Sequence, residues 1–147
     1  MTEQTVKRAF EIHRIYVKDL SFESPKAPAI FKEKNRFAAD VSVGTKTTVL
    51  ADGFHEVVLT VTVTAKIEGQ SDVVYVAEVK QAGIFLVTGF SDAEMKPLMN
   101  SAAPAVLFPY AREAISELVG RGGFPQLYLS PINFDALYAQ QAKEQQA

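Results

Sequence analysis

Between Phe54 and Ile67 the chain alternates so regularly that one conformation suits it. Val57, Leu59, Val61, Val63, Ala65 and Ile67 fall on one parity, and Glu56, Thr60, Thr62, Thr64 and Lys66 on the other. Successive side chains of an extended strand point to opposite faces, a period of two that no helix reproduces. The segment is therefore a strand with one face in a core and the other wet or weakly polar. Asp52-Gly53 immediately precedes it. Asp-Gly between two alternating runs is a hairpin signal, because both central turn positions need positive φ.

The hairpin partner runs from about Ala38 to Leu50, where Val41, Val43 and Val49 share a parity with Thr45 and Thr47. After a turn at Glu68–Asp72, the run Val73–Val87 is apolar on both parities: Tyr75, Ala77, Val79, Phe85 and Val87 oppose Val76, Ile84 and Leu86. Three strands joined by short turns make an antiparallel meander. A further strand, Phe10–Lys18, joins an edge, with Phe10, Ile12 and Tyr16 on one parity and Ile15 and Val17 on the other. A sheet apolar on both sides needs two covering layers. The rest of the chain offers helices for one, so a second subunit is the expected other cover.

Asp19 to Arg36 carries Pro25, Pro28 and the charged run Lys32–Lys34, and reads as a long irregular connection. Long loops often carry function, and the apolar Phe22, Ile30 and Phe31 within it mark a candidate binding wall. Ser91 and Glu94 have capping-box spacing, although Pro97 restricts that start to a short turn. The main helix spans about Ala102 to Val119 and stops at Gly120-Arg121-Gly122-Gly123, with Pro109 implying a kink or a later start. Phe124 to Ile132 is extended. Asn133 then caps a last helix that shows Phe134, Leu137 and Tyr138 on one stripe and frays toward its end. The expected fold class is α+β: a four-stranded antiparallel sheet with a long helix and a C-terminal helix packed against it. It forms a single domain over residues 1–147, with 1–8 and 139–147 as flexible tails.

Composition removes several function classes. With 15 basic and 17 acidic residues, a net charge of −2, the chain lacks the electrostatic footprint of a nucleic-acid binder. Cysteine is absent, which excludes disulfides and thiolate chemistry. The N-terminal MTEQTVK has no apolar h-region and no stretch approaches the roughly 20 apolar residues of a membrane span. The expectation is a cytoplasmic protein that does not insert into membranes.

The search for chemistry finds no catalytic or metal site. His13 and His55 stand alone, and His55-Glu56 fails as a zinc-protease motif because Leu59 occupies the second histidine position, in a strand. No phosphate-binding glycine loop is present, and Gly89-Phe90-Ser91 lacks the closing glycine of a nucleophile elbow. No cofactor is expected. Asp19 and Glu23 form a local acidic pair that is either a solvated surface or a docking point for a basic partner. Glu78, set between Ala77 and Val79, either points to solvent or joins that surface.

These residues also carry a resemblance. Arg14-Ile15-Tyr16-Val17-Lys18-Asp19-Leu20-Ser21-Phe22-Glu23, Gln81-Ala82-Gly83-Ile84-Phe85, Leu107-Phe108-Pro109-Tyr110-Ala111-Arg112-Glu113, Phe124-Pro125-Gln126-Leu127 and Asn133-Phe134-Asp135-Ala136-Leu137 resemble the SecB family over residues 10–138. The resemblance implies a protein-export chaperone that assembles as a homotetramer, a dimer of dimers, binds unfolded preproteins and passes them to the SecA ATPase. It implies that Asp19, Glu23, Val76 and Glu78 contact SecA and that Ala77, Val79 and Gln81 influence tetramer assembly. The chain departs from the family where a tryptophan is common, reading Lys34-Asn35-Arg36-Phe37-Ala38 with Phe37 as the substitute, and in a short Gln/Ala-rich tail. Client segments are expected to lie against Phe22, Ile30, Phe31, Tyr75, Phe134, Leu137 and Tyr138. Two readings compete: a small-ligand carrier or enzyme with an enclosed pocket, and a SecB-like chaperone or adaptor dedicated to one partner, such as a toxin-antitoxin system.

Overall fold

The computed structural model describes residues 7–146. Strands β1 (Ala9–Glu23), β2 (Phe37–Val49), β3 (Phe54–Ile67) and β4 (Val73–Thr88) form one antiparallel sheet in the order β1-β4-β3-β2. β3 has the predicted bounds, and Val57, Leu59, Val61, Val63 and Ala65 on its inner face are fully buried. Asp52 and Gly53 take φ of 63° and 83°, the pair of positive values that lets a two-residue turn match the twist of its strands. The turn closes with Leu50 N–H on the Phe54 carbonyl at 2.8 Å.

β4 pairs with β1 on one side and β3 on the other; its Tyr75, Ala77, Val79, Phe85 and Val87 are buried on the inner face, and Val76, Ile84 and Leu86 are half-buried on the outer one. The inner face is covered by α2 (Ala103–Arg121), whose Leu107, Ala111, Ile115 and Val119 recur every fourth position and are fully buried against β3 and β4. Full burial of a Leu, Ile or Val side chain contributes about 1.5–3 kcal/mol, so this stripe is the main attachment of helix to sheet.

The helical region is more continuous than its prolines led one to expect. Ser91 forms the complete capping box with Glu94 at the start of α1 (Asp92–Pro97). Beyond Pro97 the chain widens into a π turn, Leu98–Ala102, with Ala103 N–H on the Leu98 carbonyl, and runs directly into α2. Pro97 lacks only the N–H that would reach Ala93, so it removes one bond of α1 and leaves the later turns intact. Pro109 lies exposed inside α2 without ending it. In α3 (Phe134–Gln146), Asn133 Oδ1 accepts the Ala136 N–H at 3.0 Å. Residues 139–146, assigned to a tail by sequence, are helical; residues 1–6 of the other assigned tail lie outside the described residues.

The largest correction concerns β1. Asp19, Phe22 and Glu23, placed in the long connection by sequence, are in the strand, paired with Lys80, Ala77 and Val76 of β4. The connection that remains, 24–36, is shorter and contains a 3₁₀ turn at Ala29–Lys32. Two bulges, between Ile12 and Arg14 and between Val17 and Asp19, conceal the strand's length by breaking its alternation.

Candidate functional site

The strand residues singled out by sequence divide between the two faces of the sheet. On the outer face, which no helix among the described residues covers, the register sets Glu23 opposite Val76, Ser21 opposite Glu78 and Asp19 opposite Lys80. Asp19 and Glu23 thus flank Glu78 diagonally, at Cα separations of about 7–8 Å. Thr62 on β3 donates its hydroxyl to the Glu78 carboxylate at 2.9 Å, fixing it over the strand. The four residues Asp19, Glu23, Val76 and Glu78 therefore share one surface, a row with half-buried Val76 opposite Glu23 at one end, Glu78 in the middle and exposed Lys80 opposite Asp19 at the other.

Further along the outer face, the Tyr16 hydroxyl and Lys18 Nζ (2.9 Å) both donate to the Glu56 carboxylate. Those two bonds hold the Glu56 carboxyl below its usual range, and burial together with the Glu56 carboxylate pushes the Tyr16 hydroxyl up to about 12.

On the inner face Ala77 and Val79 are inaccessible and Gln81 is 3% exposed, all beneath α2. Gln81 has a polar partner there: its Nε2 donates to the Tyr16 carbonyl at 3.1 Å.

The seven aromatic and aliphatic candidates do not form one groove. Phe22, Phe31 and Tyr75 meet at one end of the sheet around Phe124, whose ring lies 6.3, 5.2 and 4.9 Å from theirs; Phe22 also stacks on Tyr75 at 5.7 Å. Phe31 is half exposed, whereas Tyr75 and Ile30 are buried in the core. Phe134, Leu137 and Tyr138 sit elsewhere. Phe134 is buried edge-on against Phe108 at 5.7 Å. With Leu137, Val43, Thr45, Asn100, Gln141 and Glu144 it lines a groove of about 520 Å³ between β2 and α3.

Sequence reasoning missed Phe124 as the hub of the aromatic group, and it noted Phe37 without placing it; Phe37 is edge-on to Phe124 at 5.8 Å. The double glycine before Phe124 was the available signal. A Cβ on Gly122 would lie 2.2 Å from the Phe22 ring, so the chain must be bare there for the aromatic residues to converge.

Of the two histidines, His13 is exposed and edge-on to Phe54, and His55 is buried with Nδ1 3.2 Å from the Gly53 carbonyl. Among the described residues no three His, Asp or Glu gather as metal ligands, and no helix is long and apolar enough to cross a membrane.

The sequence profile of the family described as preprotein translocase subunit SecB matches residues 3–145. The protein-export protein SecB of Methylococcus capsulatus is 49% identical over 146 residues, covering 98% of this chain and 93% of its own length. The protein of the same name from Histophilus somni is 47% identical over 145 residues, covering 99% and 85%. Among solved structures, the Mycobacterium tuberculosis SecB-like chaperone Rv1957, in complex with a peptide of the antitoxin HigA1, is similar with a TM-score of 0.71. That similarity spans 84% of this chain and 90% of the other at 18% identity, a likeness of fold.

Proposed function

The chain belongs to the SecB family, and from that membership we propose that it is a cytoplasmic protein-export chaperone. It holds unfolded preproteins in a translocation-competent state, works as a homotetramer and delivers its clients to SecA. The observation that carries the delivery step is the convergence of Asp19, Glu23, Val76 and Glu78 on one uncovered face. Exposed Asp19 and Glu23, half-buried Glu78 and the adjoining Val76 suit a basic partner segment, since charge steers the encounter and the apolar contact retains it.

Client capture is assigned to two regions, the apolar Phe31–Phe124 end and the β2–α3 groove, where Val43, Phe134 and Leu137 lie among the polar Thr45, Asn100, Gln141 and Glu144. Each buries apolar surface at roughly 25 cal/mol per Å², and several copies on one assembly act together through effective concentration. Subunit association has its own support. β1 and β2 are the edge strands among the described residues, and Ile12, Val17 and Leu20 on β1 are large, apolar and about half exposed, as is Tyr110 on α2. Ala77, Val79 and Gln81 lie beneath α2, so their proposed influence on assembly runs through the shape they give to β1 and α2.

The test is charge reversal. Asp19→Lys with Glu23→Lys should weaken SecA binding and leave protection of an unfolded client from aggregation intact. Unchanged SecA affinity would reject the docking assignment, and a solution mass of one subunit would reject the assembly.

A further inference from the structure

The inner-face side chains of β1 are Phe10, Ile12, Ile15, Val17, Leu20 and Phe22, separated by two, three, two, three and two positions. Each step of three is one of the two bulges. An extra residue in a strand resets its alternation. At the second bulge the extra residue is Lys18, so Lys18 and Asp19 lie consecutively on the outer face. Regular alternation continued from Val17 would instead send Asp19, Ser21 and Glu23 inward and expose Leu20 and Phe22.

This bulge is tied down from both sides of the sheet. On the inner side the buried Gln81 donates to the Tyr16 carbonyl at 3.1 Å. On the outer side Tyr16 and Lys18 reach the Glu56 carboxylate on β3, spanning β4 where Ala82 offers only a methyl group. We infer that Gln81 and Glu56, acting on Tyr16 and Lys18, are positioning residues. They lock the β1 bulge, so that Asp19 and Glu23 face outward while Phe22 faces inward onto Tyr75 and Phe124. The consequence for SecA rests on the docking reading proposed above; the lock itself does not.

The experiment uses the full chain and reads amide hydrogen exchange across β1, β3 and β4 together with SecA affinity. Gln81→Leu removes the donor and leaves the Tyr16 carbonyl unpaired. Protection of residues 19–23 should fall about tenfold, the equivalent of one lost hydrogen bond, and SecA affinity should fall with it. Deleting Lys18 in the same background removes the bulge yet keeps Asp19 opposite Lys80, and should restore both. Tyr16→Phe deletes only the hydroxyl on the outer side. It should give the same selective pattern at smaller amplitude, and it serves as the test if the Gln81 variant does not fold. Protection unchanged in both variants would overturn the lock. An even loss across β3 and β4 that the Lys18 deletion does not repair would overturn it too. Selective loss and rescue with unaltered SecA affinity would support the lock and overturn the docking reading.

Discussion

Gly122 offers a measurable link between the helix end and the aromatic residues. It caps α2 with φ −74° and ψ −2°, a conformation any residue adopts, so Gly122→Ala costs nothing in backbone strain. Through the unfolded state alone such a change stabilises by about 0.4–1 kcal/mol. The added methyl, however, would lie 2.2 and 2.4 Å from ring carbons of Phe22. Phe22 cannot yield freely, because it stacks on Tyr75 and leans on Phe124. Forcing a methyl into a packed site costs about 1–3 kcal/mol, so the net expectation is a loss of roughly 1–2 kcal/mol. Urea unfolding at fixed subunit concentration measures it. In a Phe22→Ala background the clash is gone, and the same glycine change should become neutral or stabilising by about 0.5 kcal/mol. A Gly122→Ala protein as stable as the parent with Phe22 present would refute the reasoning.

Three further outcomes are expected. Glu56 is held below its ordinary value of 4.5, so its bonds stabilise the fold above that pH and the contribution fades as pH drops through the folded value. Tyr16 is raised from 10.0 to about 12, so its contribution is full below pH 10 and is lost as pH rises toward 12. Burial also raises Tyr75, so urea midpoints for Tyr16→Phe should show a smaller alkaline slope, and an undiminished slope would remove the assignment. Asn133→Ala should cost α3 about 1 kcal/mol, seen as faster amide exchange in its first turn. Ser101→Ala removes the hydroxyl that donates to Asp135 and holds α3 against the π turn; exchange over the same helix should rise while β3 is unaffected.

Most of the sheet was legible because its signals are local. The alternation of β3 and the Asp-Gly turn depend on neighbours in sequence, and both held. β1 was cut short because bulges are specified by what lies opposite, here the Gln81 amide and the Glu56 carboxylate, which sequence order does not bring near. The two-three spacing of its apolar residues was present but read as two half-covered faces. Pro97 and Pro109 were read for the bond each removes, whereas the helical run continues past both. The aromatic candidates divide into two regions, and that partition depends on where Phe124 and α3 return to the sheet.

The pleat of β4 acts as a partition wall. Val76 and Glu78 stand on one side of it, and Ala77, Val79 and Gln81 stand on the other, one peptide apart. The charges shown to a neighbour can therefore be rewritten, residue by residue, while the interior is left as it was.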